Sequence, residues 1–268
     1  MTSELKGTQK MHKVATYILV IITVLTVSAT AFAQSDQPKN EIEIRATVAV
    51  PSGEANFSGT NDAGSTLDFN RDFQFSNEWG FEVKYLYRSE SGKHKFVADY
   101  ATTDWDRTRI ILRSFTFRGE TYVAGAAVEG NLRSSVWKGM YAYRWHKDKV
   151  HIGPMIDMGV VPTRLDVTGT TLSGTNRESE GSITKFAATV GYDLDYDPTD
   201  KISIFNNLGG IAFHHDRLFH VEGGLKYYAS KNFGVVGGYK FQRYRWVNDN
   251  NFLRISSHGP FVGGVIRF

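Results

Sequence analysis

The feature that most constrains the fold is a strict alternation of apolar and polar residues, repeated in many short segments. The stretch EWGFEVKYLYR places an apolar side chain at every second position: Trp79, Phe81, Val83, Tyr85 and Tyr87. The stretches TKFAATVGYDLDY and FHVEGGLKYYA repeat the pattern. Successive side chains of a β-strand point to opposite faces. Each segment therefore predicts a strand with one apolar face.

The N-terminal segment MHKVATYILVIITVLTVSATAFAQ has the features of a secretory signal peptide. Lys13 gives it a positive start, an apolar run follows, and the small-x-small motif at 31–33 is a cleavage site. The apolar run is shorter than the ~20 residues of a membrane-spanning helix. We expect residues 1–33 to be a cleaved signal peptide, with Met11 as an alternative start, and residues 34–268 to form one domain.

The composition of this mature domain excludes several classes of protein. Three of the 31 basic and one of the 28 acidic residues lie in 1–33, which leaves a net charge of +1. A near-neutral chain gives no electrostatic footprint for nucleic acid. The absence of cysteine excludes disulfides and thiolate metal sites. No long apolar stretch follows residue 33, so spanning helices are excluded, whereas spanning β-strands are not, because they alternate.

The connections between the candidate strands alternate between short and long. Short, turn-like segments lie at 89–94, 146–149, 197–201 and 229–232, and longer irregular ones separate them, such as 51–77, 105–131 and 162–182. This asymmetry is typical of outer-membrane barrels. We expect ten strands, at 41–50, 78–88, 93–104, 132–145, 149–161, 183–196, 201–213, 218–229, 233–246 and 254–268.

The predicted fold class is therefore all-β, an antiparallel up-and-down transmembrane β-barrel, with eight or twelve strands as alternatives to ten. The segment at 109–130 is also β-forming; it extends strands three and four outward, or adds a hairpin that makes twelve. A soluble sandwich alternates too. Here, however, one face carries charges of both signs and the apolar face ends in Tyr and Trp, which favours a barrel in lipid.

Two stretches resemble known bacterial proteins. The terminal Phe268, preceded by apolar residues at alternate positions, resembles the C-terminal signature of outer-membrane proteins. In that family the barrel assembly machinery reads such an end, which implies this machinery as a partner. The stretch GTNDAGSTLDFNRDFQF, with the later SGKHKF, is similar to a group of small, uncharacterised outer-membrane barrels; the matching residues are Gly64, Leu67, Asp68, Phe69, Asp72 and Gly92. The resemblance implies the bacterial outer membrane and no particular activity.

Alternation predicts that many charged side chains point into the barrel. This candidate lumen charge network comprises Glu82, Lys84, Lys95, Asp99, Arg144, Asp157, Lys185, Asp193, Glu222, Lys226, Lys240 and Arg267. Charges removed from bulk water must be paired, and a narrow barrel has room mainly for its own side chains. The network is either a salt-bridge plug or the lining of an ion-conducting pore.

Two arginines near the end of strand nine are predicted to point outward. Tyr239 and Phe241 face lipid in the stretch YKFQRYRW, so Arg243 and Arg245 share their face. Arginine at the bilayer centre costs about 2–4 kcal/mol, but this cost falls toward zero at the interface. We therefore expect Arg243 and Arg245 to contact lipopolysaccharide phosphates, with solvated arginines as the alternative.

A rim hydrolase is the alternative function. Omptin proteases are ten-stranded barrels with an acidic pair and an Asp-His pair at the rim, and Asp104 and Asp106 resemble their acidic pair in spacing. The Asp-x-His element is absent, because here His214 precedes Asp216.

A lipid-facing His-Ser pair, as in lipid A deacylases, is suggested by His258 beside Ser256 and Ser257. His214, His215 and His220 have no diagnostic metal-ligand spacing. We expect a non-enzymatic protein without a cofactor or metal, with a structural or surface role or limited passage of small solutes.

Overall fold

Ten antiparallel strands close into one ring in the computed structural model, which describes residues 39–59, 64–213, 216–248 and 251–268. The ring strands are β1 (Asn40–Asn56), β2 (Glu78–Arg88), β3 (His94–Ile110), β4 (Ala127–Tyr143), β5 (Val150–Thr170), β6 (Asn176–Thr199), β7 (Ile202–Phe213), β8 (Asp216–Tyr228), β9 (Phe233–Asn248) and β10 (Asn251–Arg267). Each strand pairs with the next along the chain. Strand β10 pairs with β1, with Ala46 opposite Val262, and so closes the ring. The barrel leaves no sheet edge in its closed part.

The predicted fold class and the count of ten strands are confirmed. The predicted signal peptide lies outside the described residues. Among the residues that are described, no helix has the length and apolar character needed to cross a membrane.

The segment at 109–130 extends strands β3 and β4 outward and also forms a hairpin. Strand β3 continues to Ile110 and β4 begins at Ala127, so both strands extend outward. Between them, Phe115–Phe117 pairs with Glu120–Tyr122 as a separate hairpin outside the ring. The hairpin adds no strand to the barrel, which excludes a ring of twelve.

The expectation of an irregular segment at 162–182 is wrong. Strands β5 and β6 continue through it and stay paired from Tyr196 opposite Val150 to Asn176 opposite Thr170. The alternation persists there with its polarity reversed. Thr163, Leu165 and Val167 are buried, whereas Arg164 and Asp166 point outward. Because the outward residues here are polar, the pattern of an apolar, lipid-facing side does not identify this part of the strands.

This reversal divides the barrel into two zones. In the lower zone, which contains both ends of the described chain, the outer wall is apolar and the interior is charged. Its outward residues are exposed aliphatic and aromatic side chains, among them Trp79, Tyr85, Phe96, Trp137, Ile156, Met158, Phe186, Val190, Tyr192, Tyr196, Phe219, Leu225, Tyr227, Val235, Tyr239 and Val262. The aromatic ones lie in two girdles. One is near the short turns, with Tyr85, Phe96, Tyr196 and Tyr227, and the other is nearer the crown, with Trp79, Trp137, Phe186, Phe219 and Tyr239.

The upper zone, here called the crown, lies beyond the second girdle and has the opposite polarity. Its interior is an apolar cluster into which residues 57–59, 64–77 and 111–126, here called the cap, fold. Phe57, Phe69, Phe73, Phe115 and Phe117 are among its fully buried members. The crown is thus packed like the core of a water-soluble β-domain.

Two glycines of the wall let these loops approach closely. A Cβ on Gly130 would lie 2.3 Å from the ring of Phe73, and one on Gly181 would lie 2.7 Å from the ring of Phe57. Phe57 and Phe117 meet edge to face, with ring centroids 5.6 Å apart. The cap therefore packs on the wall at Gly130 and Gly181, where the lack of a side chain leaves room for the aromatic rings.

Candidate functional site

The predicted lumen charge network lies on the inner face of the ring. Its members are buried in the lower zone with two exceptions at the ends. Lys185 lies at the base of the crown, 3.5 Å from Asp216, with a side chain that is 26% exposed. Arg267 lies at the opposite end, 3.1 Å from Glu41, with a side chain that is 19% exposed. The network therefore fills the lower lumen from end to end.

Glu222 is the centre of the network. It accepts a hydrogen bond of 2.7 Å from Arg45 Nη1 and bonds of 2.7 Å to each carboxylate oxygen from Lys84 Nζ. Lys240 donates to Glu82 at 2.9 Å. The guanidinium of Arg45 also lies 4.4 Å from the ring centroid of Phe261. These buried charges are paired across the barrel and also along single strands, because Arg45 Nε donates to Glu43 at 2.6 Å and Lys84 lies 3.3 Å from Glu82.

A second group of ion pairs closes the end near the chain termini. Lys226 bonds to both Glu41 and Glu43, and Arg88 lies 3.5 Å from Glu41. Arg88 also lies 3.8 Å from Asp195, which links this group to the next. Strands β1, β2, β6 and β8 are thus connected by charge.

A third group lies against strands β3, β4 and β6. Lys95 Nζ donates to Asp193 at 2.7 Å and to Asp195 at 3.1 Å. Arg144 Nη1 donates to Asp195 at 2.6 Å, and its Nη2 donates to the carbonyl of Gly92 at 3.2 Å. The turn at Gly92 is therefore tied to the lumen.

Sequence reasoning missed Glu41, Glu43, Arg45 and Asp195 as members. The signal was present, because the stretch EIEIRAT alternates charges with apolar residues in the same way as the other strands. These four residues are at most 3% exposed. Alternation identifies the inward face of a strand, whereas the choice of partners depends on the register between strands.

A small polar chamber lies where the charged lumen meets the crown. Asp99, Asp157 and His220 line it, and His220 Nε2 lies 3.3 Å from Asp157 Oδ2. Lys138 Nζ lies 3.9 Å from Asp99 Oδ2. Asp99 Oδ1 and Thr189 Oγ1 are buried without a hydrogen-bond partner. Groups of this kind are normally satisfied by ordered water.

Three small cavities lie among these side chains. The chamber measures about 20 Å³, and two further cavities measure about 50 Å³ and 30 Å³. Volumes of this size hold from one to a few water molecules. Val161, Leu218 and Tyr244 cover the chamber from the crown side. At these three levels of the interior, side chains therefore leave room for little more than water.

The structure places Arg243 and Arg245 on the outer wall at the base of the crown. Phe219 lies opposite Arg243, and Arg217 lies opposite Arg245. On the other side Arg254 lies opposite Arg245. Phe219 is exposed in the upper aromatic girdle. Arg217, Arg243, Arg245 and Arg254, here called the outer arginine cluster, thus occupy three adjacent strands just above this girdle.

The acidic pair does not face the barrel interior. Asp104 lies on the outer wall and accepts a hydrogen bond of 2.8 Å from Arg133 Nε, and Asp106 shares its face by alternation. Asp216 accepts a bond of 3.0 Å from the backbone of Val247. His214 and His215 lie outside the described residues. Asp104 and Asp216 therefore lie on strands β3 and β8, which are not neighbours in the ring.

The candidates for a deacylase serine–histidine pair, Ser256, Ser257 and His258, lie on two different faces of β10. Ser256 and His258 point outward, whereas Ser257 points inward and lines a cavity. His258 Nδ1 lies 2.6 Å from the hydroxyl of Tyr239, and the two rings stack. No serine–histidine hydrogen bond joins this pair among the described residues. In the described part of the chain, no three His, Asp or Glu residues are arranged to hold a metal ion.

Comparison with known proteins identifies the fold. No protein-family model and no curated protein matches the sequence. Among solved structures, the outer membrane protease OmpT from Escherichia coli is 9% identical, with a TM-score of 0.56 over 89% of this chain and 100% of that chain. The translocator domain of the autotransporter NalP from Neisseria meningitidis is 9% identical, with a TM-score of 0.46 over 96% and 98%. The closed ring of ten strands and the likeness to the OmpT structure show that the chain has the fold of an outer-membrane β-barrel.

Proposed function

We propose that this chain is an integral protein of the bacterial outer membrane, with a structural or surface role and no enzymatic activity. The apolar outer wall of the lower zone supports membrane residence. Side chains such as Phe186 and Val190, which are 67% and 59% exposed, have no reason to face water in so regular a band. Two aromatic girdles at the edges of this band support the same assignment.

The filled lumen is the observation that carries the proposed role. Buried ion pairs occupy the lower zone, and an apolar cluster occupies the crown above them. A solute would have to break pairs such as Lys84–Glu222 and then displace rings such as Phe73. We therefore favour a closed barrel that holds the crown outside the membrane over one that passes solutes.

Planar-bilayer recording tests this role directly. The purified protein, inserted into a lipid bilayer, is expected to show no steady conductance. One variant combines Arg45→Ala, Lys84→Ala and Glu222→Ala with replacement of residues 112–125 by a short Gly-Ser linker. It removes the centre of the charge network and part of the apolar cluster in the crown, and it is expected to conduct. Steady conductance by the unmodified protein would overturn the closed-barrel proposal.

Membrane residence has its own test. We expect the protein to fractionate with outer membranes and to require detergent for release. The terminal Phe268 is proposed to engage the barrel assembly machinery, so that Phe268→Ala lowers the inserted amount without changing the stability of the purified barrel. Release of the native protein by plain buffer would contradict the assignment to the membrane.

A further inference from the structure

The outer arginine cluster contains more positive charge than its neighbours neutralise. Arg254 is paired, because its Nη1 lies 2.8 Å from Glu54 Oε1. For Arg217, Arg243 and Arg245 no acidic partner occurs among the described residues. By contrast, outward arginines on the opposite wall have partners: Arg133 pairs with Asp104, and Arg164 pairs with Asp166 and Glu180.

The register makes this excess unfavourable without a ligand. Arg245 lies directly opposite Arg217 on one side and Arg254 on the other. Directly opposed residues in antiparallel strands have Cα atoms only about 4.5–5.5 Å apart. Like charges at such positions destabilise the pairing of the strands. A multivalent anion bound between them would remove this repulsion.

The position of the cluster indicates where that anion lies. Arg243 follows Phe241 by two residues on the outer face of β9, and Phe219, which is exposed, lies opposite Arg243. Phe219 and Phe241 contact each other with ring centroids 6.0 Å apart. Aromatic girdles lie at the level of the lipid headgroups. The arginines therefore project at headgroup height and not into the hydrocarbon.

We propose that Arg217, Arg243 and Arg245 form a binding site for the phosphate groups of a lipid headgroup, with Arg254 as the flanking, Glu54-held member. The inference rests on the proposed membrane residence. Guanidinium groups bind phosphate oxygens in a bidentate manner, and three of them on adjacent strands match a headgroup with more than one phosphate. The lipid is held at its headgroup by the arginines while its acyl chains lie against the lower zone.

Binding of a bisphosphorylated lipid A to the detergent-solubilised protein tests the site. We expect the double variant Arg243→Gln/Arg245→Gln to bind this lipid at least about tenfold more weakly than the unmodified protein. Arg217→Gln alone should weaken binding less. Conversion of Arg243 and Arg245 to Lys should give an intermediate affinity, because the charge remains while the bidentate geometry is lost.

A matched control removes the same charge elsewhere. Arg107 and Arg177 are exposed in the crown and have no ion pair in the described structure, so Arg107→Gln/Arg177→Gln should leave binding unchanged. An equal loss in both double variants would show a general charge effect and would overturn the site. Displacement of the lipid by inorganic phosphate alone would show a free-phosphate site and would overturn the lipid proposal.

Folding and membrane residence are measured separately from binding. Each variant is first checked for the heat-dependent change in gel migration of a closed barrel and for insertion into neutral phosphatidylcholine vesicles. A variant that inserts normally but does not bind lipid A supports the site. If the unmodified protein inserts normally but does not bind lipid A, the proposed arginine site is wrong while the proposed function stands. If the unmodified protein does not insert, the result counts against membrane residence itself.

Discussion

At the residue scale, Asp72 shows how a single carboxylate organises the crown. It accepts hydrogen bonds of 3.0 and 2.7 Å from Arg113 and one of 2.8 Å from the backbone of Asp68. Asp68 in turn caps the short helical turn Phe69–Phe73, accepting from the backbone of Asn70 and Arg71. Burial acts to raise the pKa of Asp72, but the hydrogen bonds from Arg113 and Arg71 prevail and lower this pKa to about 2.

This lowered pKa predicts how the cap responds to acid. A carboxyl whose pKa is lower in the folded state stabilises that state above its unfolded pKa of about 3.9, and the contribution is lost as the pH falls toward 2. Hydrogen exchange of residues 66–76 should therefore be constant from neutral pH down to about 4 and should accelerate below it, after correction for the intrinsic rate.

In Asp72→Asn the exchange of these residues should already be faster at neutral pH and should lose this acid-dependent step. The conservative variant Asp104→Asn, whose carboxylate pairs with Arg133 outside the cap, serves as the control. An unchanged acid step in Asp72→Asn would refute the assignment.

Glu222 allows a second prediction at this scale. Replacing it with Gln removes the carboxylate closest to both Arg45 and Lys84 and leaves Glu82, 3.9 and 3.3 Å away, as their remaining shared partner. Breaking a buried pair typically costs about 3–5 kcal/mol, which is the upper bound expected here. Chemical unfolding of the barrel in lipid vesicles should show a loss of this order. Glu54→Gln, which removes the partner of the partly exposed Arg254, should cost no more than about 1 kcal/mol. Equal effects of the two changes would contradict the central role of Glu222.

At the scale of elements, the cap and the wall are one packed unit. The hairpin at 115–122 rests on β6 at Gly181, where an added side chain would meet both Phe57 and Phe117. Gly181→Val should therefore displace the cap while the lower zone keeps its pairing. Limited proteolysis should cut residues 111–126 faster in this variant, with unchanged heat-dependent gel migration of the barrel.

Gly174→Val places the added side chain in open space at the tip of the β5–β6 hairpin, but its φ of +77° brings backbone strain there. It should not accelerate cleavage of the cap, and a cap as resistant in Gly181→Val as in the unmodified protein would contradict the packing argument.

The elements also show what the sequence could and could not predict. Alternation located all ten strands, and it gave the range Glu78–Arg88 to the residue, because lipid on one side and charge on the other leave a strong pattern. It failed for residues 162–182, where the outward face meets water. It also missed that residues 64–77 fold back into the barrel, since Leu67, Phe69 and Phe73 have no periodic signal and are buried only once they pack against the wall and the rings of Phe75 and Phe115. The outward placement of Arg243 and Arg245 was accessible from parity. The position of Arg217 and Arg254 next to them depends on the register between strands, which alternation does not predict.

At the scale of the whole molecule, the five tryptophans report the two zones. Trp79, Trp137 and Trp145 are 64%, 58% and 59% exposed, whereas Trp105 and Trp246 are each 2% exposed. In single-tryptophan variants reconstituted with brominated lipids, the first three should be strongly quenched and the last two should not. Strong quenching of Trp105 or Trp246 would mean that lipid reaches the crown interior, which the fold does not permit.

The reversal of polarity along the strands that reach the crown has a consequence for biogenesis. Sliding one strand past its neighbour by a single residue would turn lysines toward acyl chains below and leucines toward water above, so both zones reject the same error at once. Sliding by two residues keeps the faces but drives an arginine into the aromatic belt or lifts a phenylalanine out of it. The chain therefore specifies its immersion depth as well as its pairing, and a barrel inserted too far or not far enough would be held in place by neither zone.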